Sequence, residues 1–261
     1  MTTGILINDF VITLLIFMRI ISVFLAAPVL GHRAFPAVGK VFLAALLSYI
    51  TFLTIVKGKQ LQVDTDFFSI AFFGLKEVVT GLVIGYVLNF VFYGINYAGT
   101  LIGVDMGLSM ASVMNPMLEI ESNALSEVIN IFALLLFFLV NGHHYLIRAM
   151  VSSFNVIPIG KYTITQPVFT LMIKYSALVF VIAIKIAAPI MVSFFLVHLG
   201  EGIIARAIPQ MQVFFVTQPL KLGIGFLLLI ATLPVYVYFI KNLLMNFEGS
   251  LFDLIRAMGA S

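Results

Sequence analysis

Between Val78 and Val104 the chain runs for 27 residues without a charged side chain. As a helix rising 1.5 Å per residue, that run measures about 40 Å. A hydrocarbon core of about 30 Å is crossed by about 20 residues. The run therefore has to tilt, break, or continue out of a bilayer into protein. A strand reading fails, because no alternation of apolar and polar residues is sustained. The remaining sequence offers water little more: 62% of the 261 residues are hydrophobic and 10% are charged. A soluble domain needs roughly a quarter charged residues. Much of the surface must face lipid or other subunits.

Five further apolar stretches flank this one. The first runs from Phe10 to Leu30 and ends at Pro28 and Gly31. Arg19 in its middle, Asp9, and the absence of Lys or Arg from Met1 to Phe10 make a poor signal peptide, so the segment is expected to stay in the mature protein. The second, Val41 to Val56, is short. The third starts near Phe67 and contains the long uncharged run. The fourth, Val128 to Ile147, fits a spanning helix of 20 residues. The fifth, about Val168 to Leu199, is interrupted by Lys174, Lys185 and Pro189. The sixth, Leu222 to Ile240, holds Pro234. The prediction is an all-α fold of polytopic membrane-protein helices, built as a single subunit over residues 1–261. Six Lys and Arg lie on the side that carries both termini and three on the other, which predicts cytoplasmic termini.

The charge and residue types exclude several functions. A net charge of +3 without a basic run argues against nucleic acid as a partner. The lack of cysteine excludes disulfides and thiolate metal sites. The glycines before Lys40 and Lys161 lack the upstream glycine of a phosphate-binding loop, and no serine elbow or zinc-protease helix occurs. His143 and His144 have no spaced set of further ligands, and neither does His198 with Glu201. No catalytic residue, cofactor or metal is expected.

The third stretch carries an unusual face. Glu77, Gly81, Gly85, Asn89, Asn96, Gly99, Gly103 and Gly107 fall within about 120° at about 100° per residue. Small residues four apart let another backbone approach, and the asparagines can hydrogen-bond across the contact. Packing inside the chain and a seam against another subunit are both compatible; the helix length leans toward the seam. A methionine-rich loop follows over residues 105–127. Met106, Met110, Met114 and Met117 are four of the 12 methionines, and Asn115-Pro116 marks a turn. Methionine adapts to irregular surfaces, so the loop can be core packing or a soft seal, and spacing alone favours packing.

Charges inside apolar stretches cost about 2.5–3.5 kcal/mol at a bilayer midplane. Glu77, Lys185 and Lys221 are accordingly expected to be buried, with Glu77 paired to a lysine of another helix and Lys76 pointing elsewhere. Interhelical pairing or snorkelling is favoured over an ion or proton relay. The tail, residues 241–261, places Leu244, Phe247, Leu251, Leu254, Ile255 and Met258 on one side, as an amphipathic helix on an interface or partner.

Six blocks then stand out together: Ala27-Pro-Val-Leu-Gly31 with Phe35-Pro36; Leu75-Lys-Glu-Val-Val-Thr-Gly-Leu-Val-Ile-Gly85; Ala98 through Pro116; Asn141-Gly-His-His144; Ser153-Phe-Asn-Val-Ile-Pro158; and Ala205-Arg-Ala-Ile-Pro-Gln-Met-Gln-Val213. In order and spacing they resemble the FliR family of type III secretion export-gate proteins, the flagellar branch more than the injectisome branch. The resemblance implies long broken hairpins assembling into a helical multi-subunit complex with FliP-like and FliQ-like subunits, and a FlhB-like protein, in the bacterial inner membrane at the flagellar basal body. It implies a pore for unfolded export substrates, closed by a plug from Met106 to about Asn123. That reverses the preference for packing at the methionine loop. The rival reading is a secondary transporter of a small solute or ion using the buried Glu and Lys; it predicts internal repeats, and none is found.

Overall fold

The computed structural model describes residues 2–28, 36–57, 66–108, 124–162, 165–208 and 213–259. Every element among them is helical: α1 (Thr2–Ala26), α2 (Ala37–Thr51), α3 (Phe67–Asp105), α4 (Ala124–Leu139), α5 (Gly142–Val156), α6 (Gln166–Ala207) and α7 (Val213–Gly259). A single π turn, Phe52–Val56, extends α2 and is closed by the Lys57 N–H on the Phe52 carbonyl at 2.9 Å. Among the described residues, five helices are long and apolar enough to cross a membrane, or six spans if α4 and α5 count as one broken span.

The chain packs as two compact units. The first takes Met1–Phe90, Asn141–Tyr175 and Asn246–Ser261, and the second Val91–Val140 and Ser176–Met245. In the first unit, α1 turns Ile12, Leu15, Ile16, Ile20 and Val23 inward at helical spacing. Along α2, small residues at Ala44, Ser48 and Thr51 form the buried face, and this helix packs on α1. The second unit has its core in Phe92, Ile95 and Ile102 of α3, Phe137 of α4, and Ile186, Ile190 and Phe194 of α6. Phe92 meets Phe137 edge to face at 6.0 Å between ring centres, a favoured geometry for aromatic pairs.

Three boundaries differ from the sequence reading. The fourth stretch does not continue as one helix: Asn141 adopts a left-handed conformation (φ 58°) and separates α4 from α5. Asparagine tolerates that region, and the following glycine adds no Cβ to resist the turn. The fifth stretch is uninterrupted from Gln166 to Ala207 despite Pro189. Proline removes the N–H that the Lys185 carbonyl would accept, a loss that long apolar helices tolerate when local adjustments re-satisfy the freed group. The sixth runs on to Gly259, so the tail is the end of α7 rather than a separate segment. Its predicted apolar side is buried from Leu244 to Met258. In the first unit, that side is covered by the chain itself: the Tyr175 hydroxyl donates to the Ser250 carbonyl at 3.0 Å, and Gly259 abuts Val156.

Candidate functional site

Two polar clusters interrupt these apolar units. The first lies where α1, α3 and α5 meet in the first unit. Arg19 donates from Nε to Glu77 Oε2 at 2.5 Å, and neither side chain is reached by solvent. Its Nη1 donates to the Ser153 hydroxyl and the Ile157 carbonyl, both at 3.2 Å, while Nη2 reaches the same carbonyl at 3.3 Å. The guanidinium sits 4.2 Å from the centre of the Phe154 ring. On the other side of Glu77, Oε1 accepts the Gly160 N–H at 2.8 Å.

Gly160 has φ +75°, a conformation suited to glycine, and Phe73 occupies the space a Cβ would take. Its carbonyl accepts from Lys76 Nζ at 3.2 Å. Glu77 therefore pairs with an arginine rather than the expected lysine, and Lys76 grips the same glycine as Glu77 instead of pointing away. Buried charges persist only when each polar atom finds a partner, and this pair has its partners in Ser153, Ile157 and Gly160.

The glycine face of α3 is used inside the chain. A Cβ on Gly81 would collide with the Ser22 hydroxyl and the Arg19 carbonyl, and one on Gly85 would lie 2.6 Å from the Ala26 Cβ. Asn89 donates to the Ala26 carbonyl at 2.9 Å. In the second unit, Gly99 would meet Ser126 of α4 at 2.5 Å. Gly103 is buried, and Asn96 is half-buried. These contacts correct the lean toward an intersubunit seam: at Gly81, Gly85 and Gly99 the close partner is this chain. Gly94, which the sequence reading passed over, also seats α3 closely on α6: a Cβ there would lie 2.8 Å from Ile182.

Gly107 lies off the stripe because the helix has ended. Its N–H bonds to the Val104 carbonyl at 2.9 Å, and the Leu108 N–H bonds to the Gly103 carbonyl at 2.9 Å. With Gly107 at φ +79°, this is a Schellman cap.

The second cluster surrounds that cap. Met106 is fully buried. Its side chain lies against Gly225 of α7, and its carbonyl faces the Gln218 amide at 3.5 Å. Lys221 stands between these two α7 positions and donates to Glu201 Oε2 of α6 at 2.8 Å. His198 Nδ1 is 3.1 Å from the same oxygen and 3.3 Å from Lys221 Nζ. Asp105 is within electrostatic reach of both His198 and Lys221. The sequence reading weighed His198 and Glu201 only as metal ligands and missed this grouping. The spacing of Gln218, Lys221 and Gly225 at i, i+3 and i+7 was the available signal. Among the described residues, no group of three or more His, Asp or Glu is placed to hold a metal.

Lys221 is buried. Lys185 is exposed, which corrects its expected burial. It lies on the outer side of α6 with Val181, Val192 and Leu196, whose exposed apolar side chains face away from the core. Met110, Met114, Asn115, Pro116 and Met117 lie outside the described residues.

The family described as bacterial export proteins, family 1, matches residues 10–247. The chain belongs to this family. Among its relatives, the flagellar biosynthetic protein FliR of Bacillus subtilis (strain 168) is 32% identical over 252 residues, covering 95% of this chain and 96% of the relative. FliR of Escherichia coli (strain K12) is 29% identical over 241 residues, covering 92% and 91%. FliR of Aquifex aeolicus (strain VF5) is 28% identical, covering 92% of each. In this export-family chain, the Leu75–Gly85 block supplies Lys76, Glu77, Gly81 and Gly85, and the Ser153–Pro158 block supplies Ser153, Phe154 and Ile157. Two blocks distant in sequence thus build one buried cluster around Arg19.

Proposed function

We propose that this chain is a flagellar type III export-gate subunit that helps to form and to close the pore through which unfolded proteins cross the inner membrane. The observation that carries the reading is the family match over residues 10–247 together with FliR relatives aligned over nearly their whole length. Apolar helices from Ile7 to Gly259 fit a membrane protein of the flagellar apparatus. Its partners are other export-apparatus proteins, specifically FliP-like, FliQ-like and FlhB-like subunits. Exposed apolar residues on α6 and α7, such as Phe195, Leu196, Leu227 and Ile230, require lipid or such subunits as cover.

The methionine-rich stretch leaves α3 at the capped Met106-Gly107 turn, so its root is anchored. In this reading Met110, Met114 and Met117, with Asn115 and Pro116, serve as the apolar seal of the closed pore, because methionine adapts to irregular surfaces. No bond is made or broken by the chain, and the energy for transport comes from elsewhere. Glu77 is committed to Arg19 and Gly160, which disfavours its use as the carrier of a small-solute transporter.

The test is to replace Met106, Met110, Met114 and Met117 with alanine in the assembled export apparatus and to record ion leak across the inner membrane. Raised leak with intact assembly supports the seal; unchanged leak with intact assembly refutes it.

A further inference from the structure

In the second unit, α6 has two unlike sides. Ile182, Ala183, Ile186, Ile190 and Phe194 are buried in the chain's own core. The other side carries Leu178, Val181, Lys185, Pro189, Val192 and Leu196 at helical spacing, and all six are exposed. Lys185 is the one Lys, Arg, Asp or Glu from Tyr175 to Gly200. Among the described residues, no carboxylate lies within ion-pair reach of it.

Lipid is the wrong cover for this lysine. The 26 residues from Tyr175 to Gly200 make about 39 Å of helix, enough to cross a core of about 30 Å. Lys185 stands within about 4 Å of the middle of that run, so the nearer edge of a core centred on it is about 11 Å away. A lysine escapes lipid by laying its four-carbon stem along the helix toward the interface, and that stem is too short here. Ionisable groups at such depth face protein or water and pair with one another. A second polar group marks the same level. Pro189, one turn on, has no N–H for the Lys185 carbonyl, and no side chain among the described residues donates to it.

We propose that this side of α6 is a docking face for a membrane helix of another export-apparatus subunit, and that the docked helix carries an Asp or Glu bound by Lys185 Nζ. Val181 and Leu178 on one side of the lysine, and Val192 and Leu196 on the other, pack on the partner and keep water from the pair. The pair then fixes the height at which the two helices meet, because a slip of one turn strands both charges against apolar side chains. The partner's identity rests on the export-gate reading; the docking face does not.

The experiment uses the assembled apparatus in its membrane. A membrane-permeant carbodiimide joins an amine to a carboxylate in contact with it, forming an amide while the reagent takes up the water released. Mass spectrometry then names both residues. The expected adduct links Lys185 to an Asp or Glu of another export-apparatus protein. In Lys185→Met and Lys185→Glu, recovery of that protein with the tagged chain falls threefold or more, and Lys185→Arg largely keeps it. Replacing the identified carboxylate with lysine restores recovery to Lys185→Glu. Because Lys185 is exposed, the unfolding temperature of the chain alone stays the same in all three variants, which separates docking from folding.

If the adduct is to a membrane protein outside the export apparatus, the docking face stands and the gate reading fails. Three results refute the docking face and leave the gate reading untouched: no adduct at Lys185, as lipid or water around it gives; an adduct only to carboxylates of this chain; or unchanged recovery in both Lys185→Met and Lys185→Glu.

Discussion

Arg19 and Glu77 are 58 positions apart and meet at 2.5 Å in a place that water does not reach. The arginine has further acceptors at Ser153 and Ile157, and the carboxylate has a further donor at Gly160. Removing one member strands the other charge in an apolar unit. Arg19→Met alone or Glu77→Gln alone should cost about 3–5 kcal/mol, read as a lowered unfolding temperature of the detergent-solubilised chain. The paired replacement Arg19→Met with Glu77→Met should recover part of that loss. Exchanging the charges, Arg19→Glu with Glu77→Arg, should not, because the Ile157 carbonyl would then face an anion and the Gly160 N–H a cation.

The packed glycines of α3 are not equivalent to Gly200 and Gly202 of α6. Gly81→Ala and Gly85→Ala push a methyl group into α1 and should each cost about 1–3 kcal/mol, the range for overpacking. Gly200 and Gly202 have open space where a Cβ would stand. Gly200→Ala and Gly202→Ala should raise the chain's stability by up to about 1 kcal/mol through helix propensity. Thermal unfolding of the four variants side by side checks the ordering.

At the end of α3, Gly107→Ala meets two penalties. The backbone is left-handed there, and the Gln218 side chain fills the Cβ position. A loss of about 1–2 kcal/mol is expected from the strained conformation alone. It should be concentrated locally, as faster amide exchange at residues 105–108 with the first unit unchanged.

For the tail, the expectation is loss of packing rather than loss of a partner. Leu251 and Leu254 are fully buried. Leu254→Ala should cost about 2–5 kcal/mol in the chain by itself, before any other subunit is added. The exposed Met245 to Ala should change stability by no more than about 0.5 kcal/mol.

Much of this was legible in the sequence because apolar runs determine helices in a medium poor in water. The long uncharged run was read as helical from near Phe67 with a break left open, and it runs unbroken to Asp105. Where a helix should stop was harder. Asn141 and Pro189 both lie inside stretches read as continuous apolar segments, and only the first is a break, because a proline costs one hydrogen bond whereas Asn141 reverses the sign of φ. Periodicity picked out the buried side of the tail residue by residue, yet assigned it to an outside partner. A hydrophobic stripe says that cover is needed and not what supplies it. The same holds for Gly81 and Gly85. Glu77 was marked as needing a partner, but Arg19 could be chosen over a lysine only once α1 lay against α3, since pairing at that separation leaves no local pattern. The grouping of His198, Glu201 and Lys221 was hidden similarly, by residing on two helices.

The central claim is that the segment leaving Met106 lines the path of exported protein. A photo-crosslinking residue placed at Met110 or Met114, in cells holding an export substrate stalled in transit, tests it most directly, with Phe195 on the exposed side of α6 as the comparison position. The account predicts adducts to the stalled substrate from positions 110 and 114 and none from position 195. Substrate adducts absent at 110 and 114 while export remains normal would contradict it.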